Sequence, residues 1–237
     1  AVAQSFAVTA ADTHLPNTSE LKVEVDFGKS MVSGIHRYLD TYLIEKTSER
    51  TKAWNDLFSH EDVEDQLNQK REELSIILGA VDSRLPASMQ TTATPGEEGP
   101  IAVGAGYEIY AVQWSVFPGV HGEGLLFEPT GSVTGSLLIL PDCDQTPEDV
   151  VGLIGDFDGH SHYVLQLAEA GYRIVVLSLI NRDNTWSGQP GVRMTNQPHR
   201  EFIYRGAYEM GRHIIGYEIQ KARSAIDWLK EKSPDTL

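Results

Sequence analysis

Two short runs constrain this chain more than anything else in it: "GSLLILP" at 135–141 and "YRIVVLSL" at 172–179. Both are apolar at successive positions, so an extended backbone would present apolar groups on its two faces. Strands of that kind belong in the middle of a parallel sheet covered by helices on both sides. Between them, "HYVLQLAEAG" (162–171) reads as a helix that Gly171 can stop. A strand, a helix and a parallel strand form a right-handed crossover unit. The pattern predicts an α/β fold.

The neighbouring segments extend this reading. Tyr107 to Phe117 alternates and is rich in strand formers, "PGVHGEG" (118–124) reads as a turn or loop, and "LLFEP" as a second strand, which suggests an antiparallel pair. From Gly211 to Leu229 the chain reads as one long amphipathic helix. Ile215, Ile219, Ala222, Ile226 and Leu229 recur at spacings of 4, 3, 4 and 3, an apolar stripe suited to lie on a sheet. Upstream, Met31 to Lys46 predicts a helix with Ile35, Leu39, Tyr42 and Leu43 on one side. A second is expected from near Ser59, where Ser59 and Asp62 resemble a capping box and Gly79 offers a stop. The Pro/Gly-bearing stretch 86–100 reads as a linker. The expected organisation is an extended and helical N-terminal appendage at 1–85, that linker, and the main α/β domain at 101–237.

Charge excludes some partners. The formal net charge is −15, which disfavours nucleic acid and anionic membranes, both polyanions. The sequence holds no apolar run of about 18 residues, so no membrane span is expected. A single cysteine, Cys143, rules out an intrachain disulfide. The first residues, "AVAQSF", can be read as what remains around a signal-peptidase site or as an arbitrary start, and export to the periplasm or beyond is favoured over the cytoplasm.

Nucleotide binding fits poorly. A dinucleotide site needs glycines directly after a strand, yet "LLILP" is followed by "DCDQTPED", with no glycine and several acids. No phosphate-loop signature occurs. Instead, "LLILPDCDQTPED", "AEAGYRIVVLSLINRD" and "NQPHREFIYRGAYEMGRHIIGYEIQKARSAIDWL", together with "KAWNDLFSHEDVEDQLNQKREELSIILGAVDSRLP" upstream, resemble a bacterial family of α/β-hydrolases of the dienelactone-hydrolase-like and acetyl-xylan-esterase-like type. The resemblance covers roughly residues 50–237.

It implies an α/β-hydrolase-like, mostly parallel sheet and a serine carboxylic-ester hydrolase acting on a small-molecule or carbohydrate ester, with no cofactor and no metal. In that fold the strand after the final helix leads into a G-x-S-x-G turn carrying the nucleophile, with the acid and histidine later in the chain. No such turn is present here: "GSVTG" (131–135) has its serine misplaced, and "TWSGQ" (185–189) lacks the first glycine. The resemblance therefore implies a sheet incomplete at its C-terminal side and an N-terminal portion that is inactive alone. Such a portion would expose an apolar sheet edge and is expected to be poorly soluble or to self-associate. The alternative is a non-catalytic α/β-hydrolase-like domain that binds a carbohydrate or a protein partner.

The loop Asp142-Cys143-Asp144 lies where such enzymes place one backbone donor of the oxyanion hole, although it carries acids; it can equally be a structural turn. Cys143 follows a strand near the active edge, but no activating histidine can be placed beside it. Arg182, Trp186 and Arg205 are candidates to hold an acidic or sugar substrate, with Arg182 also able to pair with a surface acid. Asp156, Asp158, His160 and His162 in "GDFDGHSH" hint at a metal loop but lack a complete ligand set. Arg200, Arg205, Glu209, Arg212 and His213 form a dense charged set, in which Glu209 and Arg212 are expected to pair at the start of the last helix.

Overall fold

The computed structural model describes residues 17–19, 22, 24–59, 61–92, 99–154, 162–185 and 197–232. The chain divides into two compact units, Ala1–Gln66 and Leu67–Leu237. The first holds helix α1, Phe27–Leu57. Asp26 caps it by accepting from the Lys29 amide at 3.1 Å. The helix runs well past the expected Met31–Lys46 because nothing in 47–57 breaks it: Thr47 and Thr51 turn their hydroxyls back onto the carbonyls of Leu43 and Thr47. Helix α2, Val63–Ile77, crosses the division between the units. The expected Ser59–Asp62 capping box does not form. Ser59 instead closes the end of α1, donating from its hydroxyl to Asp56 O at 2.6 Å.

The second unit carries strands β1 (Met89–Thr91), β2 (Ala102–Gly104), β3 (Tyr107–Phe117), β4 (Val120–Pro129), β5 (Gly135–Ile139) and β6 (Tyr172–Leu177). Its further helices are α3 (Pro147–Val150), α4 (His162–Glu169), α5 (His199–Glu209) and α6 (Ile214–Lys232). The sheet order is β1-β3-β4-β6-β5, with β2 also on β3. This is a mixed α/β architecture, consistent with the α/β-hydrolase-like scaffold that the resemblance implies. Its parallel character is confined to β5·β6, in register from Gly135↔Tyr172 to Ile139↔Val176; the other four pairings are antiparallel. Among the described residues β5 ends the path and pairs on one side only.

The segment read as a linker contributes β1, which pairs with β3 from Met89↔Trp114 to Thr91↔Val112. The expected loop at 118–124 shrinks to Pro118-Gly119, with β4 starting at Val120. Proline followed by a glycine at φ 78° supplies what a type II turn asks for, and the register shift between Ser115 and Phe117 accommodates its twist.

Both faces of the sheet are covered, as the apolar runs require. Ile174 and Val176 of β6 join Ile109, Leu125 and Phe127 in a core closed by Val151, Val164 and Ala168. Val175 and Leu177 point the other way, into a core with Val112, Trp114, Val116, Ala225 and Leu229. Each such buried aliphatic side chain contributes about 1.5–3 kcal/mol. Arg173, inside the apolar run, is buried but held by Glu128 through Nε–Oε2 (2.8 Å) and Nη2–Oε1 (2.5 Å) contacts.

Helix α6 keeps Ala222 and Leu229 of the expected stripe on the sheet but is turned so that Ile215 is not. Ala225 and Leu229 with Tyr217, Ala222 and Trp228 meet the sheet, whereas Ile215 is exposed. Polar contacts set that rotation. Trp114 Nε1 donates to Lys221 O at 3.0 Å, and the segment 78–84 grips a second side, where Gln220 donates to Asp82 O at 2.9 Å.

Candidate functional site

The carboxyl ends of β5 and β6 point the same way, and ligands of open α/β sheets bind beyond that edge. After β5 the chain turns through Asp142-Cys143-Asp144-Gln145, with the Gln145 amide donating to Asp142 O at 3.0 Å. The Asp142 carboxylate accepts from the Asp144 amide and from the Cys143 thiol, both at 3.3 Å, and the Asp142 amide donates to Gln145 Oε1 at 3.4 Å. This is an Asx-type turn: the amides that could face an oxyanion are turned onto side chains of the same loop. The thiol bond and the amides hold Asp142 below its usual carboxylate range. Burial, reinforced by the Asp142 bond, pushes the Cys143 thiol up, against the smaller opposite pull of Arg182 and Arg200. A protonated thiol bonded to a carboxylate is a poor nucleophile.

Arg182 reaches across from the loop after β6. It pairs with Asp144 and stands 3.9 Å from Asp142. The carboxylates and thiol of 142–144 lie close enough to share a cation, and Arg182 already supplies the positive charge there.

The loop after β6 is fastened to two helices. Arg200 donates from Nη1 to Ile180 O (2.8 Å) and to Glu218 Oε1 (2.5 Å), and the Ile180 amide points to the same Glu218 oxygen at 3.4 Å. Glu218 is buried and Arg200 is largely so. The Glu218 bond raises the Arg200 pKa, and Cys143 and Asp144 add to it, so the guanidinium is a fixed cation behind the loop. The next residues form a second clasp. The His199 amide donates to Asp183 O at 2.7 Å, and His199 Nδ1 lies 2.8 Å from Asn181 Oδ1. The Asn181 amide nitrogen is turned to Asp183, which leaves its oxygen as the acceptor, so Nδ1 carries the proton.

A cavity of about 390 Å³ opens beside this edge, lined by Thr92, Glu123, Gly124, Thr146, Glu148 and Ser178 among others. The hydroxyls of Thr92, Thr146 and Ser178 and the carboxylates of Glu123 and Glu148 belong to this lining, and the two acids disfavour a phosphate there.

The structure thus brings Asp142, Cys143, Asp144 and Arg182 together. Arg205 is elsewhere, paired with Glu201 at 2.5 Å on the exposed side of α5 and lining a separate groove with Phe202, Met210 and Tyr217. Trp186, Asp156, Asp158 and His160 lie outside the described residues, as does the His162 side chain. Arg212 does not pair with Glu209. It grips Asp82 through two bonds of 2.7 Å, because the turn after α5 aims it at the 78–84 segment. His213 accepts the Ile215 amide at 3.0 Å and so starts α6. Sequence reasoning missed His199 and Glu218 as site residues. Glu218 stands four and seven positions before Ala222 and Ala225, a spacing that places it on the buried side of α6.

No family model matches this sequence, and no curated protein does. Fifteen solved chains match in structure. One, from Bacteroides fragilis, is assigned as an acetyl xylan esterase; it is 17% identical with a TM-score of 0.49, over 69% of this chain and 42% of that one. Another is acetyl xylan esterase 1 from a Thermoanaerobacterium species, at 12% identity and a TM-score of 0.38, over 67% and 44%. The chain therefore spans less than half the length of each.

Proposed function

We propose that this chain is the N-terminal portion of a serine carboxylic-ester hydrolase of the acetyl-xylan-esterase or dienelactone-hydrolase type, acting on a small-molecule or carbohydrate ester. Residues 1–85 serve as an appendage outside the chemistry, and 101–237 form the first part of the hydrolase domain. The observation that carries the reading is the β5·β6 parallel pair, with no second partner for β5 among the described residues and the 142–145 loop at its carboxyl end. A further parallel strand laid on β5 would set a strand-to-helix turn directly beside that loop. Serine on such a turn attacks the acyl carbon, histidine takes its proton, and an amide of the 142–144 loop faces the carbonyl oxygen as it gains charge. That amide has to exchange its long bond to a loop side chain for the oxyanion, while Arg182 offsets the nearby acids. Arg182, paired with Asp144 beside that loop, is the proposed contact for an acyl or sugar group, with Trp186 as a further candidate. The nucleophile, acid and histidine come from beyond residue 237.

A second reading is favoured by the same loop: its amides are already occupied and its acids face the edge, as suits a non-catalytic domain that binds a carbohydrate or a protein partner. One experiment separates them. The 237-residue chain, and the polypeptide extended by the coding sequence after Leu237, are assayed on p-nitrophenyl acetate and acetylated xylan. The proposal expects no turnover from the first, and turnover from the second that a serine-directed phosphonate abolishes. Turnover by the 237-residue chain alone overturns it. An extended chain that is inert, with no serine between glycines in its next turn, establishes the second reading.

A further inference from the structure

Helix α1 carries an apolar stripe that the described residues of its own unit leave uncovered. Phe27, Met31, Ile35, Leu39 and Leu43, with Tyr38 and Tyr42 beside them, fall within one half of the helix surface, and each is 47–68% exposed. Tyr38 and Tyr42 stack at 6.2 Å, which flattens the middle of the stripe. The opposite half carries Lys29, His36, Arg37 and Asp40. Scattered surface hydrophobics need no explanation, but a continuous band does. At roughly 200 Å² of surface for a side chain of this size, the seven leave about 800 Å² accessible, close to what each partner of a stable interface buries.

We propose that α1 pairs with the α1 of a second copy of this chain, antiparallel, about a two-fold axis at Ile35. Symmetry selects the partner: an isologous contact must bury the same patch on both copies. The stripe is centred on Ile35, so an antiparallel pair sets Phe27 opposite Leu43 and Met31 opposite Leu39, apolar on apolar throughout. Charge selects the direction. Lys46 lies on the stripe side of α1, so a parallel pair would hold Lys46 beside Lys46, whereas an antiparallel pair about Ile35 keeps the two about 33 Å apart. The band from 27 to 43 is about 25 Å long, enough for four layers of facing side chains.

The test is sedimentation equilibrium of the full chain, wild type and Ile35→Glu. Wild type is expected to be a dimer. Ile35→Glu sets two carboxylates on the axis and is expected to weaken dimerisation at least about 100-fold, with the melting curve of the sheet unit unchanged. A second measurement fixes the direction in a Cys143→Ser background. Met31→Cys chains mixed with Leu39→Cys chains should oxidise to a cross-linked heterodimer, and neither alone should cross-link. A monomeric wild type overturns the proposal, as it means the stripe is covered within one chain. So does an Ile35→Glu variant that remains dimeric, which would assign self-association to another surface, such as the side of β5 that no described residue pairs with. Cross-linking of Met31→Cys with itself overturns the antiparallel arrangement.

Discussion

Gly216→Ala should destabilise this protein, although alanine is the better helix former. In an exposed helix interior the change gains about 1 kcal/mol. Gly216 is not exposed. A Cβ there would sit 2.1 Å from Leu78 O and 3.2 Å from the Gly79 carbonyl carbon. Ordinary contact needs about 3.4 Å, so helix or turn must separate by more than an ångström. Neither yields easily. The turn after α2 is closed by the Gly79 and Ala80 amides donating to Ile76 O (3.0 Å) and Ser75 O (2.8 Å). It is tied onward by Asp82 to Arg212 and Gln220. Forcing atoms into such packing costs about 1–3 kcal/mol, and a separation of more than an ångström belongs at the upper end, about 2–3 kcal/mol, so the net expectation is a loss of roughly 1–2 kcal/mol. In a domain of this size that lowers the melting temperature by about 2–8 °C. Gly206→Ala in α5 is the control: nothing lies within 4 Å of its added Cβ, and it should gain roughly 0.5–1 kcal/mol. Urea unfolding followed by circular dichroism reads both. A Gly216→Ala protein as stable as the wild type or more so would refute the close docking of α6 on the 78–84 segment.

Glu218→Ala leaves Arg200 buried without its partner and should cost about 3–5 kcal/mol, whereas Arg200→Met with Glu218→Leu should recover most of that loss in a double-mutant cycle. Asp82 is held below its ordinary pKa of 3.8, chiefly by its bonds to Arg212. Its share of stability is therefore present above that pH and is lost as pH falls through the lower folded-state value. The difference in urea midpoint between wild type and Asp82→Asn should be flat near neutrality and vanish in acid; because the pair is partly solvated, it should amount to less than about 1 kcal/mol. Cys143 should react with iodoacetamide more slowly at neutral pH than a free cysteine does, and Asp142→Asn should speed it, since the Asp142 bond is one cause of the raised thiol pKa.

What was legible in the sequence is what hydrophobic periodicity controls. The runs at 135–141 and 172–179 could satisfy both their faces only inside a covered sheet, and β5 and β6 are there, in parallel. Tyr107–Phe117 alternates because one residue in two meets each core, and its strand has those bounds. The failures are places where a polar contact outranked the apolar pattern. The expected α6 stripe satisfies a helical period and its Ala222 and Leu229 do reach the sheet, but the Trp114 bond to Lys221 O and the Gln220 bond to Asp82 O turn the helix so that Ile215 is left exposed. Strand β1 carries only three residues and borrows its register from β3, so no local pattern announces it.

The candidate site was legible by position and less so by partner. A loop after an apolar strand marks the ligand edge whatever its residues, which is why 142–144 and Arg182 could be singled out. Which acid Arg182 would meet depends on the separation of β5 from β6, and 38 residues of chain divide Arg182 from Asp144. The same holds for Arg200–Glu218, Arg212–Asp82 and Arg173–Glu128: each joins two elements, and each was invisible until the elements were docked. Arg200 on Glu218 has the furthest reach of the three. By taking both the amide and the carbonyl of Ile180, the pair fixes the path of the loop after β6. That path sets Arg182 over Asp144, and the ordering of the ligand edge therefore rests on a carboxylate that belongs to α6, on the far side of the sheet from α3 and α4.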